Sequence, residues 1–159
     1  MIQGFENISE NQFDVLKNAI SWITILIAGA DGKIDKEETD WAMKLTKIRS
    51  YANPNNLTPF YEEVGKEFTK NLEDLLVAVP QDTQKRNELL QRRLAETNEI
   101  LAKLDNKIAY ALYQSYISFA EHVAKQSGGF MGFFSISKEE NAWIDLPMID
   151  PIELEEKEE

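Results

Sequence analysis

Apolar residues recur along this chain at spacings of three and four, and nowhere does a period of two persist, so the pattern is helical throughout. Ser9 followed by Gln12 forms a capping box, with Ile8 and Phe13 placed as a hydrophobic staple, which predicts a helix from there to about Ala30. Phe13, Leu16, Ile20, Ile23 and Ile27 line one face, and Trp22, Ile25 and Leu26 widen it. A stripe that broad belongs to a central, mostly buried helix. Asp31-Gly32 is the expected stop, because glycine accepts the left-handed conformation that commonly ends helices. A second helix is expected from Lys36 to about Tyr51, closed by Asn53-Pro54-Asn55-Asn56. Thr58 as cap and Pro59 at the first helical position predict a third, with Phe60, Val64, Phe68, Leu72, Leu75, Leu76 and Val79 on its apolar face and Pro80 at its end. The fourth, about Asp82 to Leu104, carries a narrow stripe at Leu90, Leu94, Leu101 and Leu104, the mark of an outer helix. Asp105 caps a fifth, buried through Ile108, Leu112, Tyr116, Phe119 and Val123 and ending before Gly128-Gly129, and a sixth starts near Ser137. The prolines, at 54, 59, 80, 147 and 151, fall at these boundaries or beyond the last helix, as an all-helical chain requires.

The chain also resembles itself. Ile34-Asp35-Lys36-Glu37-Glu38-Thr39-Asp40-Trp41 matches Ile136-Ser137-Lys138-Glu139-Glu140-Asn141-Ala142-Trp143 at five of eight positions, and upstream Ser21-Trp22-Ile23-Thr24 resembles Ser115-Tyr116-Ile117-Ser118. Each half is then a long apolar helix, a turn and a capped helix with a Trp at the same place. The expected architecture is an all-α, single compact domain of about six to seven helices, with two helix-turn-helix repeats packed about an approximate two-fold axis.

Residues 30 to 38, Ala-Asp-Gly-Lys-Ile-Asp-Lys-Glu-Glu, resemble the signature of the TerB-like tellurite-resistance family, in which an apolar helix ends at Asp-Gly and a hydrophobic residue precedes an acidic helix start. That motif occurs twice per domain in the family, and the chain from about Ile8 to Trp143 is consistent with the layout. The second copy departs from it: Ser127-Gly128-Gly129-Phe130-Met131-Gly132-Phe133-Phe134 stands where an Asp-Gly is expected. The resemblance implies a TerB-like domain over 1–149, with repeat one at about 9–52, bridging helices at about 58–104, repeat two at about 105–146, and an acidic tail at 150–159. It further implies a stress-response protein linked to tellurite resistance, acting through metal binding and through other tellurite-resistance proteins, some of them membrane-embedded.

Charge narrows the choice of partners. Seventeen Lys and Arg against 28 Asp and Glu give a net −11 over 159 residues, a field that repels phosphate backbones and anionic lipid. Nucleic acid and direct membrane insertion are therefore not expected, whereas cations and basic protein surfaces are. The last ten residues hold six acids and one lysine, which predicts a mobile tail. Without cysteine there is no disulfide, thiolate metal site or thiol nucleophile. Met1 to Glu10 has no basic segment followed by an apolar one, and Ala19 to Ala30 falls short of the ~20 residues that span a bilayer, so the cytoplasm is the expected location.

Asp31, Asp35 and Glu38 come from a helix end, a turn and the next helix's first turn, a spacing that brings three hard oxygen ligands around Ca²⁺ or Mg²⁺, with Zn²⁺ not excluded. The loop is not an EF-hand, since the alternating Asp/Asn positions and terminal Glu of a twelve-residue loop are missing. Helix capping explains the same residues without an ion: Asp35 with Glu38 is a capping box, as is Ser137 with Glu140, each contributing roughly 1 kcal/mol. His122, the only histidine, fits neither Glu-x-x-His nor His-Glu-x-x-His and reads as a surface or boundary residue. Trp41 and Trp143 are expected to fill equivalent core pockets. The Phe-rich loop 128–134 either plugs the core or forms a partner patch. After Trp143, apolar residues alternate with prolines and acids, an extended segment that lies either in a groove of its own domain or in that of a neighbouring copy, giving a homodimer. With no nucleophile matched to a base and no phosphate-cradling loop, the chain is not expected to be an enzyme. The alternative to the metal reading is a metal-independent acidic protein-protein interaction module.

Overall fold

The computed structural model of the chain describes residues 1–30, 32–34, 36–50, 56–126 and 141–156. Among them the regular structure is helical only: α1 (Glu10–Ala28), α2 (Lys36–Arg49), α3 (Thr58–Ala78), α4 (Thr83–Ala95), α5 (Thr97–Leu101) and α6 (Asn106–Gln126). The expected fourth helix is present but interrupted at Glu96, where the Thr97 hydroxyl donates to the Leu94 carbonyl at 2.6 Å. Hydroxyl back-bonding of this kind competes with the backbone ladder and bends helices. The helix expected near Ser137 and the 128–134 loop lie outside the described residues.

α1 begins as its sequence dictates. The Ser9 hydroxyl accepts from the Gln12 amide at 3.1 Å, and the Gln12 side chain accepts from the Ser9 amide at 3.0 Å. From Ala19 to Ala28 every residue except Trp22 is buried, because α1 packs against each of the other five helices. Each fully buried Leu or Ile here contributes roughly 1.5–3 kcal/mol relative to exposure. Thr24, also fully buried, satisfies its hydroxyl on the Ile20 carbonyl at 2.8 Å. α1 ends at Ala28, two residues before the expected Ala30, with Gly29 donating to the Ile25 carbonyl at 2.9 Å.

Two further differences concern helix starts. Leu57 and not Thr58 caps α3; it is buried and makes no side-chain cap bond, so Thr58 is already the first helical residue. On α6 the inward position is Ala109, while Ile108 is only half-buried. α4 behaves as an outer helix, burying Arg86, Asn87, Leu90 and Leu94 along one side.

Polar ties fix α6 and α2 in the core. The Tyr116 hydroxyl donates to the Leu16 carbonyl at 2.7 Å. Arg49, at the end of α2, is buried and donates from Nη1 to the Tyr61 hydroxyl (3.0 Å), the Ser115 carbonyl (3.0 Å) and the Ser115 hydroxyl (2.9 Å), and from Nη2 to the Ser118 hydroxyl (2.9 Å). Its guanidinium carbon also sits 5.4 Å from the ring centres of Tyr61 and Phe119, within cation–π range.

The C-terminal segment is seated on its own domain. Leu146 and Ile149 are buried, and Leu146 adopts φ 46°, a left-handed conformation that costs about 1 kcal/mol or more in a branched residue. The Asn98 amide donates to the Met148 carbonyl at 3.1 Å and accepts from the Asp150 amide at 2.8 Å. Asn106, eight residues after Asn98, repeats the arrangement five residues further along the tail, donating to the Glu153 carbonyl (2.9 Å) and accepting from the Glu155 amide (2.8 Å). Up to Glu155 the tail expected to be mobile is thus clamped twice against α5 and α6.

The matched segments of the two halves differ in register. Ser21 and Ser115 are both buried, yet Trp22 is half-buried where Tyr116 is fully buried, and Ile23 is fully buried where Ile117 is half-buried. The second copy of the acidic motif, apart from Asn141 to Trp143, lies outside the described residues. Trp143 packs against the core, and Trp41 is half-buried on α2.

Candidate functional site

The turn from α1 to α2 lies against the first turn of α4, and two glycines allow that approach. A β-carbon on Gly29 would come within 2.8 Å of Arg86 Nη2 and 3.1 Å of Ile34 Cγ1. Gly32 has φ +100°, and a β-carbon there would be 3.2 Å from the Thr83 hydroxyl. α4 is itself fixed at this end by Asp82, whose carboxylate accepts from the Lys85 amide at 2.9 Å as an N-cap.

Of the three expected ligands, the structure places Glu38. It is the third residue of α2 and only 1% exposed. Asp31 and Asp35 lie outside the described residues. Among the described residues no group of three or more His, Asp or Glu side chains is arranged to hold a metal.

Under the turn lies a residue that the sequence analysis did not single out. Arg86, 3% exposed, donates from Nη2 to the Gly29 carbonyl at 2.6 Å. Its Nε and the Oδ1 of the adjacent Asn87 are buried without a hydrogen-bond partner. The signal was present: Leu90 and Leu94 extended back by four residues fall on Arg86, so it shares the buried stripe. The guanidinium thus holds the residue that closes α1, just before the acidic turn begins.

Some carboxylates elsewhere are neutralised locally. In the cleft between α1 and α3, Asp14 pairs with Lys17 at 3.1 Å and Glu63 with Lys66 at 2.7 Å. His122 is exposed, with Nδ1 2.7 Å from the Ser118 carbonyl.

No protein-family model, curated protein or solved structure matches the chain. Among the described residues, no helix is long and apolar enough to cross a membrane.

Proposed function

We propose that this chain is a non-enzymatic, TerB-like stress-response domain linked to tellurite resistance, whose α1 to α2 turn takes a divalent cation through Asp31, Asp35 and Glu38. The burial of Glu38 carries this reading. A buried carboxylate calls for donors or a cation around it, and residues 31–38 carry Asp31, Asp35, Glu37 and Glu38 against Lys33 and Lys36, an excess of negative charge that suits a divalent ion. An all-oxygen ligand set favours Ca²⁺ or Mg²⁺. Partners in this reading are other tellurite-resistance proteins, and the location is the cytoplasm. The partners rest on the resemblance of residues 30 to 38, the location on the want of a signal or membrane-spanning segment in the sequence, and the two-fold repeat on the match of residues 34–41 with 136–143.

Calorimetric titration of Ca²⁺, Mg²⁺, Mn²⁺ and Zn²⁺ tests the site. Binding to one site is expected, abolished by Asp31→Ala and weakened by Glu38→Gln. Heats that are absent, or indifferent to Asp31→Ala, rule the site out.

A second reading is favoured by Arg86. With a guanidinium built in beneath it, the turn can be a structural cap, and the domain then acts as a metal-independent module whose acidic surface docks on basic partners. Partners captured by the chain in this reading are lost as salt rises, because exposed charges are screened beyond ~10 Å at 0.1 M.

A further inference from the structure

We propose that the groove between α2 and α3 seats the C-terminal segment of a second copy of this chain, with Leu154 as the apolar anchor. The groove encloses about 580 Å³. Met43 and Phe68 supply its apolar surface; Lys44 and Lys47 line it beside Glu62, and Lys66, also on its wall, is paired with Glu63 at 2.7 Å. Lys44 and Lys47 leave the groove wall with a positive excess in a chain of net charge −11, which favours an acidic occupant.

Gly65 gives an independent indication. It lies in the middle of α3, where glycine weakens a helix, and a β-carbon built on it meets nothing within 4 Å. Packing within the domain therefore does not require glycine there. Its missing side chain keeps the groove open.

The complementary knob is on the same molecule. Leu154 is 50% exposed and is flanked by exposed Glu153, Glu155 and Glu156. The Asn106 clamp on Glu153 and Glu155 already holds the segment extended, so docking it costs less conformational entropy than docking a free tail. A face-to-face dimer through two such grooves would oppose lysines to lysines. Exchange of tails about a two-fold axis instead sets acids on lysines twice, with each copy giving one anchor and receiving one.

Sedimentation velocity of the full chain over a dilution series, at low and high salt, tests the inference. A concentration-dependent dimer that weakens with salt is expected. Leu154→Asp and Gly65→Met should each weaken it by about ten-fold or more, as loss of a central anchor does. Both positions face open space, and a thermal melt of each variant confirms that the fold persists. A chain that stays monomeric throughout, or a dimer insensitive to both substitutions, overturns the proposal. So does a monomer that binds decanoate in a Gly65→Met-sensitive manner, which would assign the groove to a small anionic amphiphile.

Discussion

Arg86 donates from Nη2 to the Gly29 carbonyl across 2.6 Å, joining the first turn of α4 to the residue that closes α1. The contact spans 57 residues of sequence and lies in a buried environment, so α4 fixes the end of α1 from which the turn departs.

Arg86→Met keeps most of the bulk of the side chain and removes the donor. Hydrogen bonds from charged groups contribute about 1.5–3 kcal/mol, so a loss of about 2 kcal/mol is expected in urea unfolding. Under the cation reading the same variant binds Ca²⁺ more tightly, since a like charge has left the site. A stability within a few tenths of wild type would show that the contact does not hold the turn.

Arg49→Lys tests the buried knot at the end of α2. Lysine retains the charge but not the planar fork that reaches Tyr61, Ser115 and Ser118 together. A loss of about 2–3 kcal/mol is expected, comparable to other broken buried networks. Equal urea midpoints for Arg49→Lys and wild type would mean that charge alone suffices.

Burial raises the Tyr116 phenol well above its ordinary 10.0, and Tyr61 adds to the shift. The folded chain therefore keeps this proton where the unfolded chain releases it. Stability from Tyr116 is fully present below pH 10 and is lost as pH rises from there through the folded value. Tyr116→Phe should flatten the alkaline decline while costing about 1 kcal/mol near neutrality through the lost bond to Leu16. Urea midpoints measured from about pH 7 to 11 give both quantities, and parallel curves for the two proteins would refute the assignment.

Asn106→Ala should free the end of the C-terminal segment alone. The amide of Glu155 loses its acceptor and is expected to exchange with solvent at least about ten-fold faster, equivalent to about 1.4 kcal/mol of local opening. Asp150, held by Asn98, should keep its protection. Uniform loosening of both amides would mean that the two clamps act as one.

The parts of this fold legible in the sequence are those in which neighbours in sequence supply the physics. Ser9 and Gln12 announce the start of α1, and the breadth of its apolar stripe announces its central place. What escaped reading is polar and distant. Arg49, Arg86, Asn87 and Glu38 sit on helices where a periodicity argument assigns charged and amide residues to solvent, yet all four are buried. For Arg49 the acceptors that make this tolerable lie 12 to 69 residues away, and for Arg86 the acceptor lies 57 away. Seating of the segment after Trp143 on its own domain was one of two readings open in the sequence, but its extension to Glu155 was not, since the acidic composition argued for mobility while the two asparagines that hold it belong to α5 and the start of α6. At the candidate site, the capping-box spacing of Asp35 and Glu38 was visible, but the guanidinium below it is contributed by α4.

The position of α1 also bears on how the chain is made. Leu16 meets its partner Tyr116 only after 100 further residues have been synthesised, which at ~5–20 residues per second is a delay of about 5 to 20 s. Throughout that interval the most apolar helix of the protein lacks α6, one of the five helices that cover it. Slowing translation would lengthen the time for which the face of α1 that α6 covers stays bare.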